Sequence, residues 1–247
     1  MVPPLLLISV VAPEEVDAAL EGGADIVDVK NPAEGSLGAA TPAVIAAVRA
    51  RLPPEIALSV ALGDAPLPGT MALAAAGAAA QGALYLKLGL RGLARPEDAF
   101  ALLAAVQEVA RGVHPRPRVV AVAYADAERA QGLRPGELPA LAARAGVHGV
   151  MLDTAFKDGV STFAALGESG VRAFVASARS LGLETALAGA LSLEEVASCA
   201  RLGVGVVGVR GAACVGGRAG RVSALKVREL RQALGLNLAA FPALARS

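Results

Sequence analysis

The sequence lacks an excess of charge of either sign. Its 23 lysine and arginine residues face 22 aspartate and glutamate residues, so the 247-residue chain has a net charge of +1. Proteins that bind nucleic acids or anionic membranes usually carry a basic patch, which this balance does not favour. The chain also lacks a stretch of about 20 residues free of polar and helix-breaking residues, which a membrane-spanning helix needs. We therefore predict no nucleic-acid partner and no membrane partner.

Cysteine and histidine are almost absent, with two residues of each. Cys199 and Cys214 do not have the spacing of a metal or redox motif, which favours buried free thiols in a reducing compartment. His114 and His148 have no metal ligands near them in the sequence. The apolar run that begins the chain lacks a basic segment and ends at Pro13, so it predicts a first strand rather than a signal peptide. These features predict a cytoplasmic protein with no metal site and no cofactor.

Lysine is scarce, whereas arginine is common. The four lysines are Lys30, Lys87, Lys157 and Lys226, and the other basic residues are arginines. Arginine stays protonated in proteins, but lysine can lose its proton and attack a carbonyl group. The positions of the few lysines are therefore informative about chemistry. Lys226 falls in the last predicted helix, where we expect a solvated surface residue.

Short apolar segments alternate with longer alanine-rich segments along the whole chain. Each short segment is bounded by glycine, proline or aspartate, which is typical of strands. The longer segments, such as 13–23 and 192–203, begin with acidic residues and end at glycine, as helices do. The predicted strands are 5–10, 26–30, 57–62, 84–89, 119–124, 149–153, 185–189 and 206–210.

Eight strand–helix units in about 250 residues predict an α/β protein whose strands close into a TIM (β/α)8 barrel. The main alternative is a doubly wound open sheet, which usually has a glycine-rich phosphate fingerprint after its first strand. The residues that follow the first predicted strand, VAPEE, are not such a fingerprint. We predict a single barrel domain over 1–235, followed by a C-terminal tail over 236–247.

Three of the lysines fall at or near the C-terminal ends of predicted strands, where TIM barrels place functional residues. Lys30 ends strand two, Lys87 lies in strand four, and Lys157 follows strand six. Side chains from alternate strands share layers of a barrel interior, so we expect these groups to converge. Asp28 points to the same side of its strand as Lys30, and Asp153 ends strand six. The structural alternative is a simple salt bridge between Lys30 and Asp28.

A cluster of lysines suits carbonyl chemistry. A buried lysine near a second cation has a lowered pKa, so its free amine can form a Schiff base. The second lysine supplies this cation or transfers protons, and the aspartates move protons or hold the ammonium groups in place. The pattern therefore predicts an enzyme that acts on a carbonyl compound.

Glycine-rich loops follow strands seven and eight, and loops at these positions of a TIM barrel often bind phosphate through backbone amides. We predict that Gly189, Arg210, Gly211 and Ala212 bind the phosphate of a phosphorylated carbonyl substrate. Both histidines are expected at the opposite face of the barrel. Four other polar residues either line the mouth or have structural roles only: Ser59, Asp64, Tyr124 and Asp126.

Six blocks of the sequence carry a resemblance that covers almost the whole chain. They are GGADIVDVKNPAEGSLGA, GDAPLPGT, LYLKLGL, VMLDTAFKDG, LAGAL and GVRGAAC. With these blocks, the sequence resembles the (5-formylfuran-3-yl)methyl phosphate synthase family of methanofuran biosynthesis. The motifs DVKNP-x-x-GSLGA and MLDTA-x-KDG are specific, whereas LAGAL is not.

The resemblance implies a fold, a reaction and a set of catalytic residues. Members of the family are TIM-barrel lyases of the carbon–oxygen type that acts on phosphates. They condense two molecules of glyceraldehyde 3-phosphate into a phosphorylated furan aldehyde, with loss of phosphate and water. The resemblance assigns the Schiff base to Lys30 and proton transfer to Lys87. Asp28, Asp153 and Lys157 complete the implied set.

Two alternatives to this reaction stay open. A class I aldolase acting on a phosphorylated sugar or triose would use the same barrel and Schiff-base lysine, but its product would not absorb ultraviolet light as a furan aldehyde does. A non-catalytic barrel that binds a phosphometabolite would keep its function after Lys30→Arg. The sequence leaves open whether the chain forms a homo-oligomer.

Overall fold

The computed structural model describes residues 3–64 and 67–236. The predicted C-terminal tail, 236–247, lies outside the described residues except for Leu236. Within the described ranges, the helices are too short or too polar to cross a membrane.

The described ranges contain eight barrel strands, a hairpin of two further strands and nine α-helices. The strands are β1 (Leu5–Val10), β2 (Ile26–Val29), β3 (Ala57–Ala61), β4 (Tyr85–Gly89), β5 (Arg118–Tyr124), β6 (Gly149–Asp153), β7 (Glu184–Leu187), β8 (Val206–Val209), β9 (Cys214–Val215) and β10 (Arg221–Val222). The helices are α1 (Val16–Glu21), α2 (Pro42–Arg51), α3 (Pro68–Ala80), α4 (Pro96–Arg111), α5 (Ala127–Ala130), α6 (Leu138–Ala145), α7 (Thr162–Ser180), α8 (Leu193–Arg201) and α9 (Ala224–Ala233).

Strands β1 to β8 follow one another in chain order around a closed barrel, and β8 pairs with β1. Every pair of neighbouring barrel strands is parallel. Such a sheet has no free edge and must be covered by helices, because a parallel sheet buries both faces. The prediction of a single TIM barrel is confirmed, and the doubly wound alternative is excluded.

Side chains that alternate along each strand fill two separate apolar layers. The outer layer packs between the barrel and its helices and includes Leu6, Ile8, Val27 and Leu86. The inner layer lies inside the barrel, and many of its members are alanines or other small residues. Because the inner residues are small, the barrel interior has room for polar groups near its C-terminal end.

A short antiparallel hairpin extends the last strand beyond the barrel. β9 and β10 pair through Val215 and Arg221 and through Cys214 and Val222. The hairpin lies between β8 and α9, on the side of the barrel where the strands end. It therefore forms one wall of the mouth that the polar residues surround.

Candidate active site

A cavity of about 310 Å³ opens at the C-terminal ends of the strands. Lys30, Lys87, Asp153 and Lys157 line it, which confirms that these side chains converge. The other polar or loop residues that line it are Ser9, Gly159, Gly189, Ala190, Gly208, Arg210, Gly211, Ala212 and Arg218. Asp28 lies just beneath, fully buried.

Asp28 holds the Lys87 ammonium group in a buried ion pair. The Lys87 Nζ lies 2.9 Å from the Asp28 Oδ2. Hydroxyl groups from the two strands beside β2 donate to the same carboxylate: the Ser9 Oγ at 2.9 Å and the Ser59 Oγ at 2.8 Å. Strand pairing places these serines directly beside Asp28 in register. Three side chains therefore hold the buried Asp28 carboxylate in one position, which satisfies its oxygens away from water.

Asp153 holds the second ammonium group. The Lys157 Nζ lies 2.5 Å from the Asp153 Oδ1, which also accepts the backbone N–H of Thr154 at 2.7 Å. The other carboxylate oxygen accepts the Ser36 hydroxyl at 3.3 Å. Ser36 belongs to the loop after β2, so this contact fastens that loop to the end of β6. Hydrogen bonds to both carboxylate oxygens of Asp153 thus hold the second lysine–aspartate pair in place.

Lys30 differs from the other two lysines because its amine has no partner. Within the described ranges, the Lys30 Nζ makes neither a hydrogen bond nor an ion pair, although the side chain is only 6% exposed. Asp28, its neighbour on the same strand face, is paired with Lys87 instead. The Lys30–Asp28 salt bridge considered from the sequence is therefore not formed.

Burial lowers the pKa of Lys30 from 10.5 to about 7. The carboxylates of Asp153 and Asp28 oppose this effect, and the ammonium groups of Lys87 and Lys157 add to it. For Asp153, burial alone would raise the pKa, but the Lys157 and Lys30 ammonium groups hold it below its usual value. Near neutral pH, a large fraction of the Lys30 amine is therefore neutral and faces the cavity together with an ionised carboxylate.

Every N–H group of the Arg210 guanidinium donates a hydrogen bond within the protein. It donates to both carboxylate oxygens of Glu15, at 2.9 and 3.3 Å. It also donates to the backbone carbonyls of Ser9, Arg218 and Gly220 at 3.0 to 3.1 Å. A guanidinium group has five N–H donors, and these five contacts use them all. Although Arg210 is one of the residues that line the cavity, its side chain ties the β8 loop to the start of the chain.

Arg218, in the hairpin, is the arginine that faces the cavity without a partner in the described part of the chain. It is half-buried, and burial lowers the pKa of its guanidinium group, an effect that Asp153 opposes. The first backbone N–H groups of a helical turn have no partner inside it, and Gly211 and Ala212 begin such a turn here. This wall of the cavity therefore offers a cation and amide donors together.

Gly189 has a backbone that only glycine adopts easily. Its φ is +96°, and an added β-carbon would collide with the Thr162 hydroxyl at the start of α7. That hydroxyl donates to the Ala188 carbonyl at 2.6 Å, and the Thr162 N–H donates to the Gly189 carbonyl at 3.0 Å. The β7 loop is therefore held close to α7, and it lines the cavity next to the loop that follows β8.

The remaining predicted residues have structural contacts. The Tyr124 hydroxyl makes a very short hydrogen bond with Asp64. Asp126 accepts the backbone N–H groups of Ala155 and Phe156. Both cysteines are buried and unpaired, and burial raises the pKa of Cys199 to about 12. Lys226 lies in α9 and is half-buried rather than fully solvated as predicted.

Sequence reasoning missed four residues that hold the site: Ser9, Glu15, Ser36 and Thr154. Ser9 could have been predicted, because it is a hydroxyl residue in an apolar strand next to the strand of Asp28. Glu15 could not, because its partner is 195 residues away in the chain. No group of three or more histidine, cysteine or acidic residues in the described ranges could hold a metal ion.

Fold and site together define a class: a (β/α)8 barrel whose mouth holds a partner-free lysine amine between two lysine–aspartate pairs. A family model described as 4-HFC-P synthase matches residues 6–231. The chain belongs to this family. The family is named for a synthase, so the chain is an enzyme.

Two relatives support this membership. The (5-formylfuran-3-yl)methyl phosphate synthase of Methanothermobacter thermautotrophicus is 47% identical over 235 residues, which cover 93% of this chain and 98% of that protein. The protein of the same name from Methanocaldococcus jannaschii is 43% identical over 231 residues, which cover 92% of this chain and 98% of that protein. The similarity thus extends over nearly the full length of both relatives.

Solved structures show a similar fold at low sequence identity. The 3-hexulose-6-phosphate synthase from Salmonella typhimurium has a TM-score of 0.58 at 17% identity, covering 93% of this chain and 98% of that one. The phosphoribosyl anthranilate isomerase from Thermus thermophilus has a TM-score of 0.59 at 16% identity, covering 94% and 98%. At these identities the likeness concerns the fold alone.

Proposed function

We propose that this enzyme joins two molecules of glyceraldehyde 3-phosphate through a Schiff base on Lys30 and forms (5-formylfuran-3-yl)methyl phosphate. The observation that carries the proposal is the buried, partner-free Lys30 amine, whose pKa is lowered to about 7. The names of the relatives supply the product. Atom balance requires the loss of one phosphate and two waters, which makes the reaction a carbon–oxygen lyase reaction. The product would serve a methanofuran-type one-carbon carrier.

The imine would drive the first half of the reaction. The Lys30 amine adds to the aldehyde carbon of the first triose, and loss of water gives an iminium. The iminium acidifies carbon 2, and removal of its proton gives an enamine. The electrons of the enamine then expel the phosphate from carbon 3, leaving a conjugated iminium. A neutral lysine is required for the addition, and burial of Lys30 provides it.

The substitution pattern of the product fixes the bond that joins the two trioses. A formyl group at ring position 5 and a phosphorylated methyl group at position 3 require a bond between carbon 3 of the first triose and carbon 2 of the second. Carbon 2 of the second triose, as its enediol, would attack carbon 3 of the conjugated iminium. The oxygen on carbon 2 of the first triose then closes the ring onto carbon 1 of the second. Loss of two waters makes the furan, and hydrolysis of the imine frees Lys30.

The two lysine–aspartate pairs are suited to the proton transfers. Lys87 lines the cavity with its amino group held by Asp28, so the neutral amine would accept a substrate proton and the carboxylate would stabilise the ammonium group that results. Lys157, held by Asp153, lines the cavity together with Lys30 and can donate a proton to a leaving hydroxyl or phosphate. We assign Lys87 as the main proton acceptor, with Asp28, Asp153 and Lys157 as the remaining catalytic groups.

The phosphate groups would lie against the β7 and β8 loops. Gly189 lets the β7 loop approach closely, and the amides of Gly211 and Ala212 begin a helical turn that faces the cavity. Arg218 offers an unengaged guanidinium group on the same wall. Arg210 uses all its donors on the protein, so we propose that it contributes by fixing the loop rather than by direct contact.

Borohydride trapping tests the proposal. Glyceraldehyde 3-phosphate and borohydride should add mass to the peptide that contains Lys30, and the reaction without borohydride should yield a product that absorbs in the ultraviolet. Lys30→Arg keeps the charge but loses the nucleophile, so turnover should vanish while the circular dichroism spectrum is unchanged. Lys226→Arg is the matched control, because Lys226 lies in α9 away from the cavity, and it should be fully active.

Each contrary outcome has its own meaning. Turnover by Lys30→Arg, or a mass gain confined to another lysine, would refute the Schiff base at Lys30. An adduct on Lys30 with a product that does not absorb as a furan aldehyde would refute the furan synthesis and indicate a class I aldolase.

A further inference from the structure

A second cavity opens at the N-terminal face of the barrel, opposite the mouth. Its volume is about 400 Å³, within the range of small-ligand pockets. The segment between α4 and β5, the turn before β6 and the turn before β7 surround it. The residues that line it are Gln107, Arg116, Pro117, Arg118, Val119, Gly146, Val147, His148 and Gly182. None of them belongs to the catalytic site.

Gln107 is the unusual residue of this cavity. It lies on the buried face of α4, next to Val106 and Leu103, and is only 5% exposed. Its Oε1 is enclosed, and neither this acceptor nor the Nε2 donor makes a hydrogen bond in the described part of the chain. Buried amides are almost always paired, because an unpaired one is destabilising. An apolar residue would suit this position better if packing were its only task.

The cavity has an excess of positive charge. Arg116 is exposed and makes no ion pair or hydrogen bond with any described residue. Arg118 donates to the Tyr85 hydroxyl at 3.2 Å and lies 4.0 Å from Glu184. The His148 Nε2 lies 3.6 Å from the same carboxylate. In the described residues around this cavity, Glu184 is thus the acidic partner of the Arg118 guanidinium group and the His148 imidazole, and Arg116 is left without one.

We propose that this cavity is a binding site for a small oxyanion, a phosphate- or carboxylate-bearing metabolite, separate from the catalytic mouth. Arg116 and Arg118 supply the charge, and the Gln107 amide supplies the neutral contact that completes the site. An arginine pair and an amide match the geometry of such an anion, since guanidinium groups bind oxyanions in a bidentate manner. A bound anion would accept a hydrogen bond from the Gln107 Nε2, and a water molecule beside the ligand would donate to the Oε1.

The histidine at the rim makes the site observable by proton NMR. The chain has only two histidines, so the two imidazole C2–H signals can be assigned with the His148→Gln variant. Burial and Arg118 lower the pKa of His148, and a bound anion would raise it. His148 and Asp153 lie at opposite ends of β6, about 16 Å apart, so an anion at the mouth is largely screened from His148.

The experiment titrates the full-length protein in inorganic phosphate, in malonate and in chloride at equal ionic strength. Phosphate or malonate should raise the measured pKa of His148 by about 0.5 or more above its value in chloride. A larger effect of phosphate identifies a phosphate-bearing ligand, and a larger effect of malonate identifies a carboxylate-bearing one. Equal pKa values in all three salts would overturn the proposal, because they would show screening alone.

Variants separate the site from a general surface effect. Arg116→Gln should weaken the anion effect about tenfold or more, and Gln107→Leu should abolish it while raising Tm. Arg172→Gln, which removes an exposed arginine on α7, is the matched control and should leave the effect unchanged. Retention of the full effect in both test variants would overturn the proposal. Turnover of the test variants without added anion should equal that of the wild type, since both positions lie outside the mouth.

Discussion

At the scale of single residues, two of the three lysines at the mouth are paired with a carboxylate and the third is not. Lys87 and Lys157 each have a carboxylate oxygen within 2.9 Å of the Nζ. Lys30 shares the same mouth but has no partner of its own, so burial controls its ionisation. The pairs remove two carboxylates that would otherwise capture the third lysine. A free amine therefore depends on the two pairs as much as on burial.

The pH dependence of imine formation follows from this arrangement. The pKa of Lys30 is lowered to about 7, so the amine is protonated below this pH and free above it. The rate of borohydride-trapped adduct formation should rise through pH 7 and level off above pH 8. Asp153 raises the pKa of Lys30. In Asp153→Asn the midpoint should therefore move to lower pH, since the carboxylate is lost and the Lys157 charge is left uncompensated.

The readout is the trapping rate measured by mass spectrometry from pH 5 to 9, which does not require full turnover. A buried ammonium that stays charged would instead give a midpoint above pH 9. A midpoint that moves to higher pH in Asp153→Asn would contradict the charge argument.

At this scale, sequence reasoning predicted which polar side chains meet at the mouth but not their partners. Alternation along the strand correctly placed Asp28 and Lys30 on one face. It could not show that Lys87 reaches Asp28 across β3, because contacts inside a barrel depend on the stagger between strands. The same limit applies to Ser9 and Ser59, whose hydroxyls reach Asp28 only once the register is known.

At the scale of elements, the loop after β6 shows how a flexible lysine is held in place. Asp126, just before α5, accepts the N–H groups of Ala155 at 2.7 Å and Phe156 at 3.0 Å. The guanidinium groups of Arg91 and Arg129 both contact the Phe156 ring, at 5.0 and 4.4 Å from the ring centre. These contacts fix the backbone on the N-terminal side of Lys157. Asp126 is therefore a positioning residue for Lys157.

Replacing Asp126 should disorder this loop without removing a catalytic group. Asp126→Ala leaves two amides without their acceptor, which should cost about 2 kcal/mol of unfolding free energy. Misplacement of Lys157 should lower kcat by roughly 10² while KM changes little. Asp126→Asn keeps one acceptor oxygen, so its unfolding free energy and kcat should lie between those of the wild type and those of Asp126→Ala. Turnover kinetics and hydrogen exchange at 155–156 measure the two effects.

The matched control is Glu128→Ala, which removes an exposed carboxylate two residues away. Its kcat and exchange rates should equal those of the wild type. Trapping at Lys30 should persist in Asp126→Ala, because Lys157 is not the imine-forming lysine. A variant with fast exchange at 155–156 and normal kcat would show that the loop does not position Lys157.

The elements themselves were largely predictable from the sequence. All eight barrel strands were placed within two residues of their ends, as for the predicted 26–30 and the observed Ile26–Val29. Each strand is apolar and bounded by turn residues, so local pattern and tertiary fold agree. The β9–β10 hairpin was not predicted, because its strands have two residues each and one contains Arg221. The hairpin is held by its strand pairing and by hydrogen bonds from Arg210. These contacts leave no pattern in the local sequence.

At the scale of the whole molecule, buried ion pairs join the two ends of the described chain. Arg210 binds Glu15 across the seam where β8 meets β1. Arg231, in α9, binds Asp25 at 3.0 Å and the Gly23 carbonyl at 2.7 Å. Both pairs are at most 10% exposed and link residues about 200 positions apart. Closure of the barrel thus brings charged groups together that the open chain keeps apart.

Variants of the Glu15–Arg210 pair can show whether Arg210 stabilises the closed barrel or binds phosphate. Arg210→Met leaves the buried Glu15 carboxylate without its cation, which should cost about 3–5 kcal/mol of unfolding free energy. The double variant Glu15→Gln, Arg210→Met removes the uncompensated charge and should regain much of this loss. If Arg210 acts through the fold, the double variant should also recover a KM close to that of the wild type. If Arg210 contacts phosphate, KM should stay high despite the restored stability.

Arg218→Gln is the comparison at the same wall of the mouth. Because Arg218 is half-buried and has no partner in the described chain, its loss should leave the unfolding free energy within about 0.5 kcal/mol of the wild type. Its KM should rise about tenfold or more, since a charged hydrogen bond to phosphate is lost. Urea unfolding and steady-state kinetics on the three variants separate the roles of the two arginines. A normal KM in Arg218→Gln together with a high KM in the stable double variant would assign the phosphate to Arg210.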